Sequence, residues 1–273
     1  MSEPFVSVLV PVFNMEGYIG ASIHSVLRGD LQAVEVIVVD DGSTDGTGRV
    51  VQLYTERSSP TYDSRVHYVR QSNRGKSAAV NRALSLARGD YIAMLDADDQ
   101  FAHNGLSALY NAHTDAGGQE NEFVIGGFEV FDDERVYGVR EPPAISNPQK
   151  LHDKFYLSWK TPFHLNASLI SRSLIEQVGG LDEHLHRCID GDYALRLLGQ
   201  ATRVAVVGDI VYRYRKYRAS IISRLRYRLK TALYRPRVVW KNYRGMRRWM
   251  AVTFGLAMDA GKMMYEVFDS YKA

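Results

Sequence analysis

The sequence has a single cysteine, Cys188, so neither an internal disulfide nor a cysteine-rich zinc site can staple the chain. None is required. A chain of 273 residues, 45% hydrophobic and 24% charged, can bury roughly three-quarters of its unfolded surface in one or two ordinary globular domains. A reducing, cytoplasmic setting is the expectation for this cysteine usage. Long apolar runs are missing too. The opening "MSEPFVSVLVPVF" has no basic segment leading into a long apolar stretch and a small-residue cleavage site, so no signal peptide is expected. The longest uncharged run near the C-terminus, Trp249 to Met258, is about half of a bilayer-spanning helix, so no transmembrane segment is expected.

Two nucleotide signatures are also absent. No Gly-x-Gly-x-x-Gly follows the first strand-like segment, which excludes a dinucleotide site. "RQSNRGKS" ends like a phosphate-binding P-loop, but Arg70 stands where its first glycine belongs. Acid is missing from residues 213–248, which hold 14 Lys and Arg, whereas residues 1–212 carry 28 acids against 18 bases. The net charge of +3 therefore conceals two segments suited to different partners.

The first half alternates strand and helix patterns. Val6 to Phe13 and Val34 to Val39 are near-continuous β-branched runs, as expected of strands covered on both faces. Between them Ile19, Ile23, Val26 and Leu27 recur at helical spacing. A helix starts near Ser43 to Asp45, a third strand covers Val66 to Val69, and a helix runs from about Lys76 to Ala87. A fourth strand, Tyr91 to Leu95, is broken by Asp96-Ala97-Asp98-Asp99. Four such units predict a mostly parallel sheet with helices on both faces. Further on, strands are expected at Phe123 to Phe131, Val136 to Val139, Leu165 to Ile170 and Val204 to Tyr214, with short helices at Ser173 to Val178 and Asp190 to Leu198. Pro142 to Pro148 reads as a loop. Beyond Ser220, Ile222, Leu225, Leu229 and Leu233 share one helical face, with a break expected at Pro236 and a second helix from about Val238 to Phe268.

Ligands of open α/β sheets bind outside the carboxyl ends of the strands, and polar residues cluster there. Phe13 and Asn14 end the first strand, Asp40 and Asp41 the second, and Asp96, Asp98 and Asp99 the fourth. This predicts an acidic cleft, whose hard carboxylate oxygens suit magnesium or manganese. "DADD" alone would serve equally as a solvated turn capping the next helix. Its place directly after "YIAML" favours the cation.

Together, "VSVLVPVFN", "VIVVDDGSTDGT", "NRGKSAAVNRAL", "GDYIAMLDADD" and "GGLDEHLHRCIDGDYALRL" resemble the family 2 glycosyltransferases, in that family's order and near its spacings, over roughly residues 5–223. The resemblance implies an α/β chain of the GT-A (nucleotide-diphospho-sugar transferase) fold, with a mostly parallel central sheet flanked by helices and a C-terminal helical extension. Residues 1–219 would form the catalytic domain, with a nucleotide-binding half at 1–99 and an acceptor-binding half at 100–219. Residues 220–273 would form the basic, amphipathic extension.

The same resemblance implies an inverting transferase that moves a sugar from a nucleotide diphosphate to an acceptor hydroxyl. Pro11, Phe13, Asn14 and Asp41, with Asp40 in support, match the residues that hold base and ribose. An aspartate at the Asp41 position commonly accepts a hydrogen bond from uracil, so a UDP-sugar is expected ahead of thymidine and guanosine donors. The Asp-x-Asp pair falls on Asp96 and Asp98, with Ala97 between them at the donor. Asp98 is the direct ligand of Mn2+ or Mg2+, and Asp96 the ribose or metal partner. Asn73, Gly75 and Lys76 match a loop bordering the donor, although Lys76 also suits a solvated helix start.

In "CIDGDYALRL" the family's base position is Asp190 and the later aspartate is Asp192, with Ile189 replacing the usual glutamate. The plain alternative for Asp190 is a helix cap. Relatives often carry a histidine after a Tyr-Arg pair where this chain has Tyr217, so Arg215 or Arg218 are the candidates to meet the diphosphate. Trp159, Phe163, His164 and Asn166 fall at acceptor-side positions, where an aromatic either stacks on a sugar or packs in the core. His184 and His186 read as loop histidines, and Cys188 as a small buried residue.

A nucleotide-sugar donor and a glycan or lipid-linked acceptor are thus the expected partners, in cell-surface polysaccharide synthesis. The alternatives are a non-catalytic nucleotide-sugar-binding scaffold, or nucleic-acid binding through the basic tail, which the acidic body opposes. Residues 213–250 combine bases with Tyr227, Tyr234, Trp240, Tyr243 and Trp249, a composition suited to the anionic inner face of the plasma membrane. The same stripe also suits packing on the catalytic body or in a homo-oligomer.

Overall fold

The computed structural model describes residues 6–115, 121–158, 163–217 and 221–243. The first half is β1 (Val6–Val12), α1 (Ile19–Leu27), β2 (Val34–Asp40), α2 (Thr47–Thr55), β3 (Val66–Arg70), α3 (Lys76–Leu86) and β4 (Tyr91–Met94). The second half is β5 (Gln100–Phe101), α4 (Gly105–Asp115), β6 (Glu122–Phe131), β7 (Val136–Arg140), α5 (Pro148–Ser158), β8 (Ser168–Ser171), α6 (Arg172–Val178), α7 (Ile189–Gln200), β9 (Arg203–Arg215) and α8 (Ile221–Asn242). The strands form one sheet ordered β3-β2-β1-β4-β8-β6-β9-β5, with β7 paired to β6. Strands β3, β2, β1 and β4 are mutually parallel, whereas β8 joins antiparallel to both β4 and β6.

Every residue of β1 and β2 is buried, which is why these strands read as apolar runs rather than alternations. The two-residue period sends Leu9, Ile37 and Val39 to one face, against Ala79 and Val80 of α3, Leu174 of α6 and Leu197 of α7. Val8, Val10, Val36 and Val38 meet Ile19 and Ile23 of α1, Val51 of α2 and Leu109 of α4 on the other. The chain leaves β1 towards β2, crosses back through α3, and re-enters as β4 on the opposite side of β1. The carboxyl ends of β1 and β4 therefore flank the point where strand order reverses, the crevice in which such sheets bind ligands.

Helices α4 and α5 and the short strand β5 were not expected from the sequence. Pro148, read as loop, is the first residue of α5, where its missing N–H costs nothing, and the Asn147 side chain accepts from the Lys150 amide at 2.9 Å. The break expected at Pro236 is corrected: α8 runs through it to Asn242. A helix-interior proline costs about 3 kcal/mol. Beyond it Val238 and Val239 are buried in the core beside Leu151 and Tyr193, each contributing about 1.5–3 kcal/mol, and Tyr243 joins them. Tertiary burial outweighs the proline. The expected helix after residue 243 lies outside the described residues. No described helix is long and apolar enough to cross a membrane.

Candidate active site

A cavity of about 210 Å3 opens at the ends of β1 and β4. Pro11, Phe13, Asp41, Lys76, Asp96, Ala97 and Asp98 line it, as the sequence suggested, joined by Val12, Met15 and Ala79. Pro11 lies past the stretch of β1 paired with β4, and Phe13 is 44% exposed at the cavity mouth.

Asp41 organises the loop before α3 at the cavity. Its Oδ1 accepts from Gln71 Nε2 at 2.8 Å and the Arg74 amide at 2.9 Å, and its Oδ2 accepts from the Gly75 amide at 2.7 Å. The N-terminus of α3, a natural anion site, thus receives a carboxylate of its own chain. This explains how "RGKS" resembles a phosphate loop without being one. Gly75 has φ 91° and Gly42 φ 80°, and a Cβ on Gly42 would stand 3.0 Å from the Asn73 amide, so both positions need glycine.

Asp40, Asn14 and Asn73 are not in the cavity lining. Asp40 is spent on structure, with its carboxylate accepting from the Ser43 amide at 2.7 Å and the Tyr68 hydroxyl at 2.8 Å. Asn14 bridges to the start of α2, its Oδ1 accepting from the Thr44 amide at 2.8 Å, and Asn73 is exposed on the loop before α3.

The acidic end of β4 carries carboxylates of Asp96, Asp98 and Asp99 whose oxygens lie within 4.8 Å of one another, a hard-donor set suited to a divalent cation. Lys76 Nζ contacts Asp96 Oδ1 at 2.7 Å and Oδ2 at 2.9 Å. Burial disfavours the Asp96 charge, but Lys76, His164 and Asn166 outweigh it and hold the carboxyl below its ordinary value. Burial likewise opposes the Lys76 charge, which Asp96 and Asp190 more than restore. Asp99 is 1% exposed, and burial, with Asp96 and Asp98 beside it, pushes its carboxyl up to about 7 even though the Arg215 amide donates at 2.7 Å and the Tyr212 hydroxyl at 2.8 Å. Asp99 thus resists ionisation beside two other carboxylates unless a cation joins them.

Sequence reasoning placed Asp99 at the acidic strand end without giving it a role, and missed Tyr212 altogether. The Tyr212 hydroxyl accepts from Asn166 Nδ2 at 3.1 Å and the Asp96 amide at 3.3 Å while donating to Asp99, so it ties β4, β8's approach and β9 together. The contiguous acids of "DADD" were a signal for the first; nothing in "VYRYR" marks the second.

At the mouth, the Tyr217 hydroxyl donates to Asp98, and burial with that contact raises the phenol's pKa. Arg215 is not free for a diphosphate. It is 7% exposed, donates to the Asp98 carbonyl at 2.9 Å, pairs with Asp133, and lies over the Tyr18 and Phe131 rings. Arg218 and Trp159 lie outside the described residues.

Neither His164 nor Asp190 is in the cavity lining; His164 stacks on Tyr212 at 5.3 Å, and its Nδ1 accepts from the Asn166 amide at 3.3 Å, which puts the neutral ring's proton on Nε2. Burial lowers its pKa, against the pull of Asp96 and Asp190. Asp190 is exposed in the first turn of α7, and its charge acts on both Lys76 and His164. Asp192, two residues on, is turned away and fully buried: Arg196 Nε donates to it at 2.9 Å, Lys241 Nζ at 3.2 Å and Asn242 Nδ2 at 2.9 Å. Its expected acceptor-side role is corrected on that ground. Phe163 packs in the core on Phe123.

Glycosyl transferase family 2 matches residues 7–179. The chain belongs to that family. It is 30% identical over 223 residues to the uncharacterized glycosyltransferase EpsJ of Bacillus subtilis, across 78% of this chain and 61% of EpsJ. It is 41% identical over 105 residues to that organism's putative teichuronic acid biosynthesis glycosyltransferase TuaG, across 38% of this chain and 40% of TuaG. The family 2 chain thus spans less than two-thirds of the length of these relatives. Its fold is that of S. aureus TarS 1–349, solved in complex with UDP-GlcNAc, at a TM-score of 0.66 and 19% identity over 97% of this chain and 72% of that one. The mannosyltransferase PcManGT of Pyrobaculum calidifontis, in complex with GDP-Man and Mn2+, follows at a TM-score of 0.55 and 21% identity over 94% and 74%. The GT-A architecture expected from the sequence is the one found.

Proposed function

We propose that this family 2 chain is an inverting glycosyltransferase that moves a sugar from a UDP-sugar to a hydroxyl of a glycan or lipid-linked acceptor in cell-surface polysaccharide synthesis. The observation that carries the proposal is the placing of Asp190, on a separate helix, within electrostatic reach of the Lys76 ammonium that grips Asp96. Base and ribose lie along Phe13 and Asp41, and the diphosphate meets the acidic end of β4. Asp98 and Asp96 would hold Mn2+ or Mg2+, which would supply charge neutralisation for the departing diphosphate. Lys76 adds a second positive charge there. Asp190 takes the proton of the attacking hydroxyl. Release of the matching nucleoside diphosphate from a panel of UDP-, TDP- and GDP-sugars with Mn2+ and a glycan acceptor tests the proposal, and no release from any donor refutes it.

The donor base has its own test. Asp41 has one acceptor site left after its three loop bonds, which suits the ring N–H of uracil. UDP should outcompete GDP in a fluorescence competition titration, and tighter GDP binding would overturn the assignment.

A lipid-linked acceptor places the protein at an anionic membrane surface, on the inner face of the plasma membrane. On α8 the residues Lys230, Leu233, Arg237 and Trp240 are exposed at helical spacing, opposite the buried Val239, and no acid occurs from 213 to 248. Each base near such a surface contributes on the order of 1 kcal/mol. Truncating the chain at Ser220 would strip Val238 and Val239 from the core, so the outward residues are the ones to change. Sedimentation with phosphatidylserine liposomes at low salt should fall at least severalfold in Lys230→Glu/Arg237→Glu. Unchanged sedimentation would refute the membrane contact.

A further inference from the structure

Helix α8 touches the catalytic body at the turn that presents Asp190. That turn is held in an unusual way. Cys188, the residue before α7, has φ 58°, a left-handed conformation that a cysteine adopts only under constraint, and its side chain does not cap the helix. Contacts from α8 bracket the strained turn on both sides. Cys188 Sγ lies 3.9 Å from the Thr231 carbonyl, and one helical turn beyond it Asp192 receives Lys241 Nζ at 3.2 Å and Asn242 Nδ2 at 2.9 Å. Lys241 also pairs with Asp182 at 2.7 Å, on the loop leading into α7, so one ammonium ties both ends of the segment that contains Asp190.

We propose that Lys241 and Asn242 are positioning residues that fix Asp190 against the acceptor by clamping Asp192 to α8. The proposal rests on Asp190 being the base. Asp192 is fully buried and accepts from three donors, so its carboxyl group takes the direction that satisfies them. Arg196, four residues along the same helix, also donates from Nη1 to the Val178 carbonyl of α6 at 3.1 Å, so it ties Asp192 to α6 rather than to α8. The α8 donors are external to α7, anchored by Val238 and Val239 in the core, and they set the rotation of its first turn relative to the cavity. Asp190 and Asp192 are successive-but-one on that turn, so a change in one direction moves the other. The family match ends at residue 179, before α7 begins.

The test is a double-mutant cycle on the full chain, read as UDP release from whichever of UDP-glucose, UDP-galactose and UDP-N-acetylglucosamine the wild type consumes fastest with Mn2+, with water as acceptor where no glycan is supplied. Lys241→Met should lower kcat about 10- to 100-fold with the donor KM within twofold, since misplacing a reacting group by about 1 Å costs that much. Lys241→Arg, which keeps the charge, should recover most of the rate. In the Asp190→Asn background Lys241→Met should change nothing further, because the group it positions is gone. A loss that multiplies in both backgrounds, or a donor KM that rises with it, overturns the proposal in favour of a purely structural clamp. So does a Lys241→Met rate within twofold of wild type. Near wild-type turnover by Asp190→Asn alone would instead remove the base on which it rests. Should Lys241→Met fail to fold, Asn242→Ser is read in the same cycle against the same outcomes.

Discussion

Asp190→Asn should lower the rate of sugar transfer by about two to four orders of magnitude, the range a positioned general base supplies, while UDP and Mn2+ titrate as in the wild type. The substitution is nearly isosteric and removes only the ability to take a proton. Asp190 is exposed in the first turn of α7, so its loss disturbs no core packing. The cost to the fold is that of one acid at a helix N-terminus, about 0.3–1 kcal/mol. The residues proposed to hold the donor sit on other elements, at the ends of β1, β2 and β4 and the start of α3, which is why binding and turnover should separate. Stopped-time UDP release alongside calorimetric titration of UDP reads both quantities. Asp192 cannot substitute as the base, because both its oxygens already accept from Arg196, Lys241 and Asn242. Near wild-type transfer by the variant would therefore move the base off α7 altogether.

The parts of this fold legible in the sequence were those whose pattern is set by burial on both faces. β1 and β2 showed as apolar runs, and the acids past each strand end marked the crevice before any side chain was placed. What stayed hidden depended on tertiary contact. The continuation of α8 through Pro236 follows from Val238 and Val239 finding the core, which no local rule supplies. Asp192 and Asp190 look alike in "IDGDYA", and only packing against α8 buries one and exposes the other. Asp40 and Asp41 are adjacent on the chain but point to opposite duties, because successive residues of an extended strand end face opposite ways. Arg215 seemed a phosphate ligand from its charge; the ring faces of Tyr18 and Phe131 and the Asp98 carbonyl claim it instead.

Asp98→Asn should abolish most turnover, by about two to three orders of magnitude, in a protein that still folds, and excess EDTA should do the same to the wild type until Mn2+ or Mg2+ is returned. Of the three clustered carboxylates Asp98 is the cleanest probe. Asp99 is buried and holds the Tyr212 hydroxyl and the Arg215 amide, so changing it disturbs β9. Asp96 neutralises Lys76, and removing it leaves that cation without its partner, so a lost rate there would not report on the metal alone. Asp98 is half-buried, lines the cavity, and is held from outside by Tyr217. A cation's share in stabilising a departing diphosphate is several kcal/mol, which sets the expected factor. Thermal unfolding within a few degrees of wild type would show that the variant's fold is intact, and Mn2+ titration should show weakened binding. Full activity in excess chelator, or an Asp98→Asn rate near wild type, would mean that Lys76 alone neutralises the leaving group and that the acidic end of β4 has another use.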